Sequence, residues 1–188
     1  MAAPATLDDL TGAARNGDSD AFAGLVRLTY ADTYALAYRL TGNVDDACDV
    51  LQDAYLRAFK SIKRFRGEAG FATWMYRVTA NCAVTHLARG GRRNDTLDAC
   101  MTRCDERVVA DPAAMAAADD DRVRLVGALR RLSDPLRAVV VLRDIYDWPH
   151  ELVAAELGIS VATAKVRAHR GRKKLREWLF PMAGDPQA

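Results

Sequence analysis

Apolar residues recur along this chain at steps of three and four and nowhere in sustained alternation, so the pattern predicts helices and no strand. No proline falls between Pro4 and Pro112, and residues 7–93 read as helical, punctuated by Gly12, Gly17 and Gly42. Ser19 and Asp20 suit a helix start at Ala21, after which Phe22, Leu25, Val26, Leu28, Tyr30, Tyr34, Leu36, Ala37 and Leu40 form a broad stripe. Thr41-Gly42-Asn43 is a stop. Asp45 or Asp46 opens the next helix, with Cys48, Leu51, Tyr55, Ala58, Phe59 and Ile62 on one face. Residues 64–70 read as a loop, and a third long helix runs from Phe71 to Arg89, carrying Trp74, Met75, Val78, Cys82 and Leu87 before Gly90-Gly91.

Residues 94–121 lack a sustained apolar face and are read as a linker that includes Asp119-Asp120-Asp121, joining a domain at 7–93 to one at 122–180. Helical spacing then returns in shorter pieces. Val123, Leu125, Val126, Leu129 and Leu132 make one stripe, and Ser133-Asp134-Pro135 is a cap with proline in the first turn. Leu136, Val139, Val140, Leu142 and Ile145 make the next. Asp147-Trp148-Pro149 starts a short helix ended by Gly158, and Ile159-Ser160 leads into a last helix from Val161 to about Leu179. The expected fold class is all-α: two small helical domains joined by a flexible linker, the second containing a helix-turn-helix.

Composition narrows the class. Of 188 residues, 50% are hydrophobic and 28% charged, which excludes a chain disordered throughout. No stretch approaches the roughly 20 apolar residues of a membrane span, and residues 1–20 lack the basic start and apolar run of a secretory signal, so a cytoplasmic protein without membrane insertion is expected. The net charge of +2 conceals alternating blocks: residues 1–59 carry 9 acidic and 4 basic side chains, 60–93 carry 1 and 8, 94–121 carry 8 and 2, and 122–180 carry 6 and 13. Two basic blocks separated by an acidic one suit two modules that each meet a polyanion.

In the short-helix–turn–helix segment, Val153, Ala154 and Leu157 are expected to face the core, Ile159 to fill the turn, and Val161, Ala164 and Ala168 to pack the last helix back, with Ser160 as its cap. The remaining face presents Thr163, Lys165, Arg167, His169, Arg170, Arg172, Lys173, Lys174 and Arg176, a pattern for base edges and phosphates. The other basic block interleaves Arg64, Phe65, Arg66, Trp74, Arg77, Arg89, Arg92 and Arg93, cations and rings that suit single-stranded nucleic acid, with Asn81 able to meet a base edge. Phe65, beside a glycine in a loop, is the ring expected to be exposed, whereas Phe71, Trp74 and Met75 also fit a core.

Cys48 and Cys82 sit on apolar stripes and are expected in the core. Cys100 and Cys104 lie in the linker as Cys-x-x-x-Cys, a spacing that fits neither the usual zinc pairs nor a thioredoxin motif; a redox pair is the reading that would give them a role. No metal site, cofactor or catalysis is expected: the three histidines have no nucleophile or metal partner, and there is no Gly-rich phosphate loop. A stand-alone helix-turn-helix regulator and a protein-binding adaptor also fit the C-terminal segment, but a plain repressor needs neither an acidic helix at 45–59 nor an aromatic and basic loop at 64–77.

Taken in order, these segments resemble the extracytoplasmic-function group of the sigma-70 family. The resemblance rests on residues 45–59, on Arg64-Phe65-Arg66-Gly67-Glu68 with Phe71, Thr73-Trp74-Met75-Tyr76-Arg77 and Asn81, and on Gly158-Ile159-Ser160-Val161 with Thr163, Lys165, Arg167, His169-Arg170, Arg172-Lys173 and Leu175. It implies a factor that binds core RNA polymerase and directs it to promoters. The first domain would read a melted -10 element and the second a duplex -35 element, with an anti-sigma factor as a further partner and a monomeric free state. It assigns Asp45, Asp46, Asp49, Gln52 and Asp53 to the polymerase, and Phe65 and Asn81 to flipped -10 bases. Neither a further C-terminal domain nor the N-terminal extension of housekeeping sigma factors is expected. Pro149 and Leu152 stand where the family usually has a small polar residue and Glu, and Ala164 and Val166 where Val and Ser are commoner, which bears on the -35 sequence read.

Overall fold

The structure, a computed structural model, describes residues 6–89 and 120–181. The chain divides into two compact units at Asp111/Pro112. Among the described residues there are helices and no strands.

The first unit holds α1 (Leu7–Arg15), α2 (Ser19–Thr41), α3 (Val44–Ser61), a 3-10 turn (Ile62–Arg64) and α4 (Phe71–Ala88). α1 begins with a reciprocal cap: the Asp9 N–H donates to the Thr6 hydroxyl and the Asp9 carboxylate accepts from the Thr6 N–H. α2 begins two residues before Ala21, because Asp18 takes the cap position and accepts from the Asp20 and Ala21 N–H groups. Gly42 closes α2 in the left-handed region at φ 73°, and Asn43 caps α3 by accepting from the Asp46 N–H.

Leu25, Leu36, Leu40, Val50 and Met75 fill the centre of this unit. The small side chains of Ala37, Ala47, Ala54, Ala58, Ala80 and Ala83 are fully buried and bring the helices close. Buried threonines cost little here because each hydroxyl donates one turn back, Thr33 to the Thr29 carbonyl at 2.6 Å and Thr79 to that of Met75 at 2.8 Å. The Tyr55 hydroxyl lies 2.9 Å from that of Thr29, joining α3 to α2, and burial pushes the phenol pKa up. The apolar stripes are narrower than the sequence pattern: Leu28 and Phe59 are exposed, and Cys48 is half-buried whereas Cys82 is buried.

The second unit holds α5 (Asp120–Arg131), α6 (Asp134–Val140), a π-helical turn (Val141–Ile145), α7 (His150–Leu157) and α8 (Val161–Leu179). Asp120 and Asp121, assigned above to the linker, belong to α5: carboxylates are favoured in a first turn, and Asp121 pairs with Arg124 at 3.4 Å. Val123 and Leu125 are exposed, so α5 packs through Ala128 and Leu129, with Leu132 just past its end also buried. Val139, Val140, Val141, Leu142 and Val153 form the core against Ala164 and Ala168. Arg137 is buried, with its charge met by Asp134 at 2.7 Å and by the Leu132 carbonyl.

Candidate nucleic-acid and polymerase interfaces

The helix-turn-helix is built by local chemistry. Gly158 ends α7 at φ 62°, a conformation that costs glycine nothing, and the Ile159 N–H donates to the Ala154 carbonyl at 3.0 Å. Ser160 then caps α8, its hydroxyl accepting from the Thr163 N–H at 3.1 Å. α8 packs through Ala164, Ala168, Gly171 and Leu175. At Gly171 the helices approach closely: a Cβ there would lie 2.5 Å from Val140 Cγ2.

This seating leaves Lys165, His169, Arg170, Lys173, Lys174 and Ser160 exposed and Thr163 and Arg167 half-buried. Arg167, Arg170, Lys173 and Lys174 share a groove of about 530 Å³ with Ser133, Pro135, Leu136 and Glu177. Pattern reading missed Ser133 and Pro135 as part of this surface, since their role arises only when α6 packs beside α8. Arg172 differs from its neighbours. Its Nε and Nη2 donate to the two Asp144 oxygens at 2.9 and 2.5 Å, a bidentate pair that raises the guanidinium pKa further. It ties α8 to the π-helical turn.

In the first unit, Asp45 and Asp49 are half-buried and Gln52 and Asp53 exposed on one side of α3. Asp46 corrects the expectation. It is 7% exposed and its Oδ1 lies 2.7 Å from His86 Nε2, so it points inward and ties α3 to α4. Its place on α3, one residue before Ala47 and four before Val50, puts it at the edge of the buried face. Leu56 and Phe59, each 50% exposed, extend that face beyond the carboxylates. The signal for Leu56 was its place outside the stripe of Leu51, Ala54 and Ala58.

Phe65 also corrects the expectation. It is 8% exposed, with its ring 4.9 Å from that of Trp74 and 6.4 Å from that of Phe71. The 3-10 turn holds its N–H on the Ile62 carbonyl at 3.0 Å, and three large rings hide more apolar surface together than any one exposes. Trp74 keeps a half-exposed edge of this cluster, beside exposed Arg64 and Arg66; Arg66 lies 3.8 Å from Glu68. Arg77 and Arg89 are exposed and Asn81 is half-buried along α4. Arg92, Arg93, Cys100 and Cys104 lie outside the described residues. Among the described residues, no cluster of three or more His, Cys, Asp or Glu side chains is arranged to hold a metal, and no helix is long and apolar enough to cross a membrane.

A small-residue seam under a cationic helix, capped and turned as above, defines a helix-turn-helix of the nucleic-acid-binding kind, attached in this chain to a second helical unit. Comparison with known proteins makes this specific. Residues 25–93 match the family described as Sigma-70 region 2, and residues 122–175 match Sigma-70, region 4. The chain is 32% identical over 173 residues to the ECF RNA polymerase sigma factor SigW of Bacillus subtilis, covering 88% of this chain and 92% of SigW. It is 36% identical over 157 residues to SigE of Mycolicibacterium smegmatis, covering 82% of this chain but 60% of SigE. The solved structure of CnrH in complex with the cytosolic domain of CnrY matches with a TM-score of 0.57 at 26% identity, covering 90% of this chain and 94% of that one.

The chain therefore belongs to the extracytoplasmic-function sigma factors of the sigma-70 family. That class consists of non-enzymatic transcription initiation factors that work with RNA polymerase at promoter DNA.

Proposed function

We propose that this chain joins core RNA polymerase through the exposed side of α3, reads a melted -10 element with the first unit and a duplex -35 element with α8, and so selects promoters. On α3 the contact falls to Asp45, Asp49, Gln52 and Asp53, flanked by Leu56 and Phe59. In the first unit, Trp74, Arg77, Asn81, Arg64, Arg66 and Arg89 are assigned to the single strand; Phe65 supports the Trp74 ring from beneath. On α8, Ser160, Thr163, Lys165, Arg167, His169, Arg170, Lys173 and Lys174 are assigned to duplex DNA. The observation that carries the reading is the seating of α8: four small or apolar residues inward, and a mostly basic surface outward. The protein acts where RNA polymerase does, in the cytoplasm. An anti-sigma protein is the expected regulator; the similar protein CnrH was solved in complex with another protein, the cytosolic domain of CnrY.

The test separates the two units. Asp49→Arg should abolish capture of core polymerase. Arg170→Glu should leave capture intact while removing protection of the upstream duplex in a footprint of the assembled holoenzyme. Loss of both functions in both variants, or of neither, contradicts the assignment.

A further inference from the structure

The outward surface of α8 is not uniformly cationic. Val166 is 48% exposed in its N-terminal half, and Ala162, one turn earlier, is exposed beside it. At about 100° per residue, Val166 lies about 200° round the helix from Ala164 and about 160° from Ala168, the residues that seat α8 in the core. It therefore stands opposite the seam and contributes nothing to packing. Nor does it serve the helix itself, since valine is a poorer helix former than Ala, Lys or Arg at an exposed site. Single exposed valines are ordinary on protein surfaces, but this one has particular neighbours. Lys165 and His169 lie to one side of the Ala162–Val166 line, and Arg170 and Lys174 to the other, all exposed.

A lysine on one side of a short apolar centre, with an arginine and a lysine on the other, matches the cross-section of a major groove, with phosphates along both walls and base edges on the floor. The one apolar group on that floor is the C5-methyl of thymine. From this geometry we infer that Val166 is a specificity-determining residue of the -35 contact and packs against a thymine methyl. The inference rests on the sigma-factor reading of α8, and it names the occupant of the apolar spot: a T·A pair in duplex promoter DNA, held there by the flanking charge.

Holoenzyme assembled from core RNA polymerase and the full chain is footprinted on fragments of its own genome. Each thymine of the protected upstream duplex is then replaced in turn by deoxyuridine, which pairs with adenine as thymine does and lacks only the methyl group. The wild-type chain should lose about fourfold in affinity at one thymine, the scale of one methyl-sized group returned to water. Val166→Ser should be indifferent to that replacement, and Val166→Thr, which keeps one methyl, should recover part of the sensitivity. Indifference of the wild type at every thymine, or full sensitivity in Val166→Ser, overturns the inference while leaving the sigma reading intact. Absence of any upstream footprint overturns both.

Discussion

The inward-facing residues carry consequences that composition alone does not. Asp46 and Asp45 are neighbours with the same side chain, yet Asp46 is buried and tied to His86 at 2.7 Å whereas Asp45 is half-buried on the acidic side of α3. Removing one partner of a buried hydrogen bond costs about 1–3 kcal/mol, whereas a surface substitution stays within about 0.5 kcal/mol. Asp46→Ala should therefore lower the denaturant midpoint of the full chain clearly, and Asp45→Ala should barely move it. Equal shifts would mean that the Asp46–His86 contact does not hold α3 to α4. Gly171 makes a second such case. A methyl added there meets Val140 Cγ2, which sits on a β-branched side chain with little freedom to turn away and is itself in the core. Overpacking of this kind costs about 1–3 kcal/mol, so Gly171→Ala should lower the thermal midpoint even though alanine favours helix. A higher midpoint would show that the seam has room for a methyl group at this position.

Elements differ in how far the sequence announces them. The helix-turn-helix was legible because its punctuation is local: Gly158 for the left-handed turn, Ser160 for the cap, and Ala164 and Ala168 at steps that only one face of a helix satisfies. The start of α2 was displaced because Asp18, Ser19 and Asp20 are all competent caps, and the choice among them depends on which carboxylate reaches the free N–H groups. Phe65 was misjudged because its burial depends on Phe71 and Trp74 arriving from α4, a tertiary contact with no periodic signature. The pairing of Arg172 was equally illegible, since its partner Asp144 is 28 residues earlier in the chain. This pair gives a prediction at the scale of the element. Each phosphate neutralised by a protein cation contributes about -0.9 to the slope of log K against log salt. Exchanging the tether for a neutral one, Arg172→Gln with Asp144→Asn, should leave that slope unchanged for holoenzyme on upstream duplex DNA. Lys173→Gln should flatten it by about 0.9. A flatter slope in the double variant would return Arg172 to the phosphate contacts.

At the scale of the whole molecule, the alternating charge blocks and the two families matched at residues 25–93 and 122–175 describe the same division of labour. On the proposed reading, a partly acidic, partly apolar helix face would meet a protein, an aromatic and basic surface single strands, and a cationic helix a duplex. None of these surfaces is a catalytic centre, and their value lies in acting together on one polymerase. The direct test is transcription by core RNA polymerase, with and without this chain, on a fragment library of its own genome, with the 5′ ends of the transcripts sequenced. The account predicts discrete starts that depend on the chain, share two upstream sequence elements, and disappear with Asp49→Arg and with Arg170→Glu. No chain-dependent starts, together with no binding to core polymerase, would contradict it.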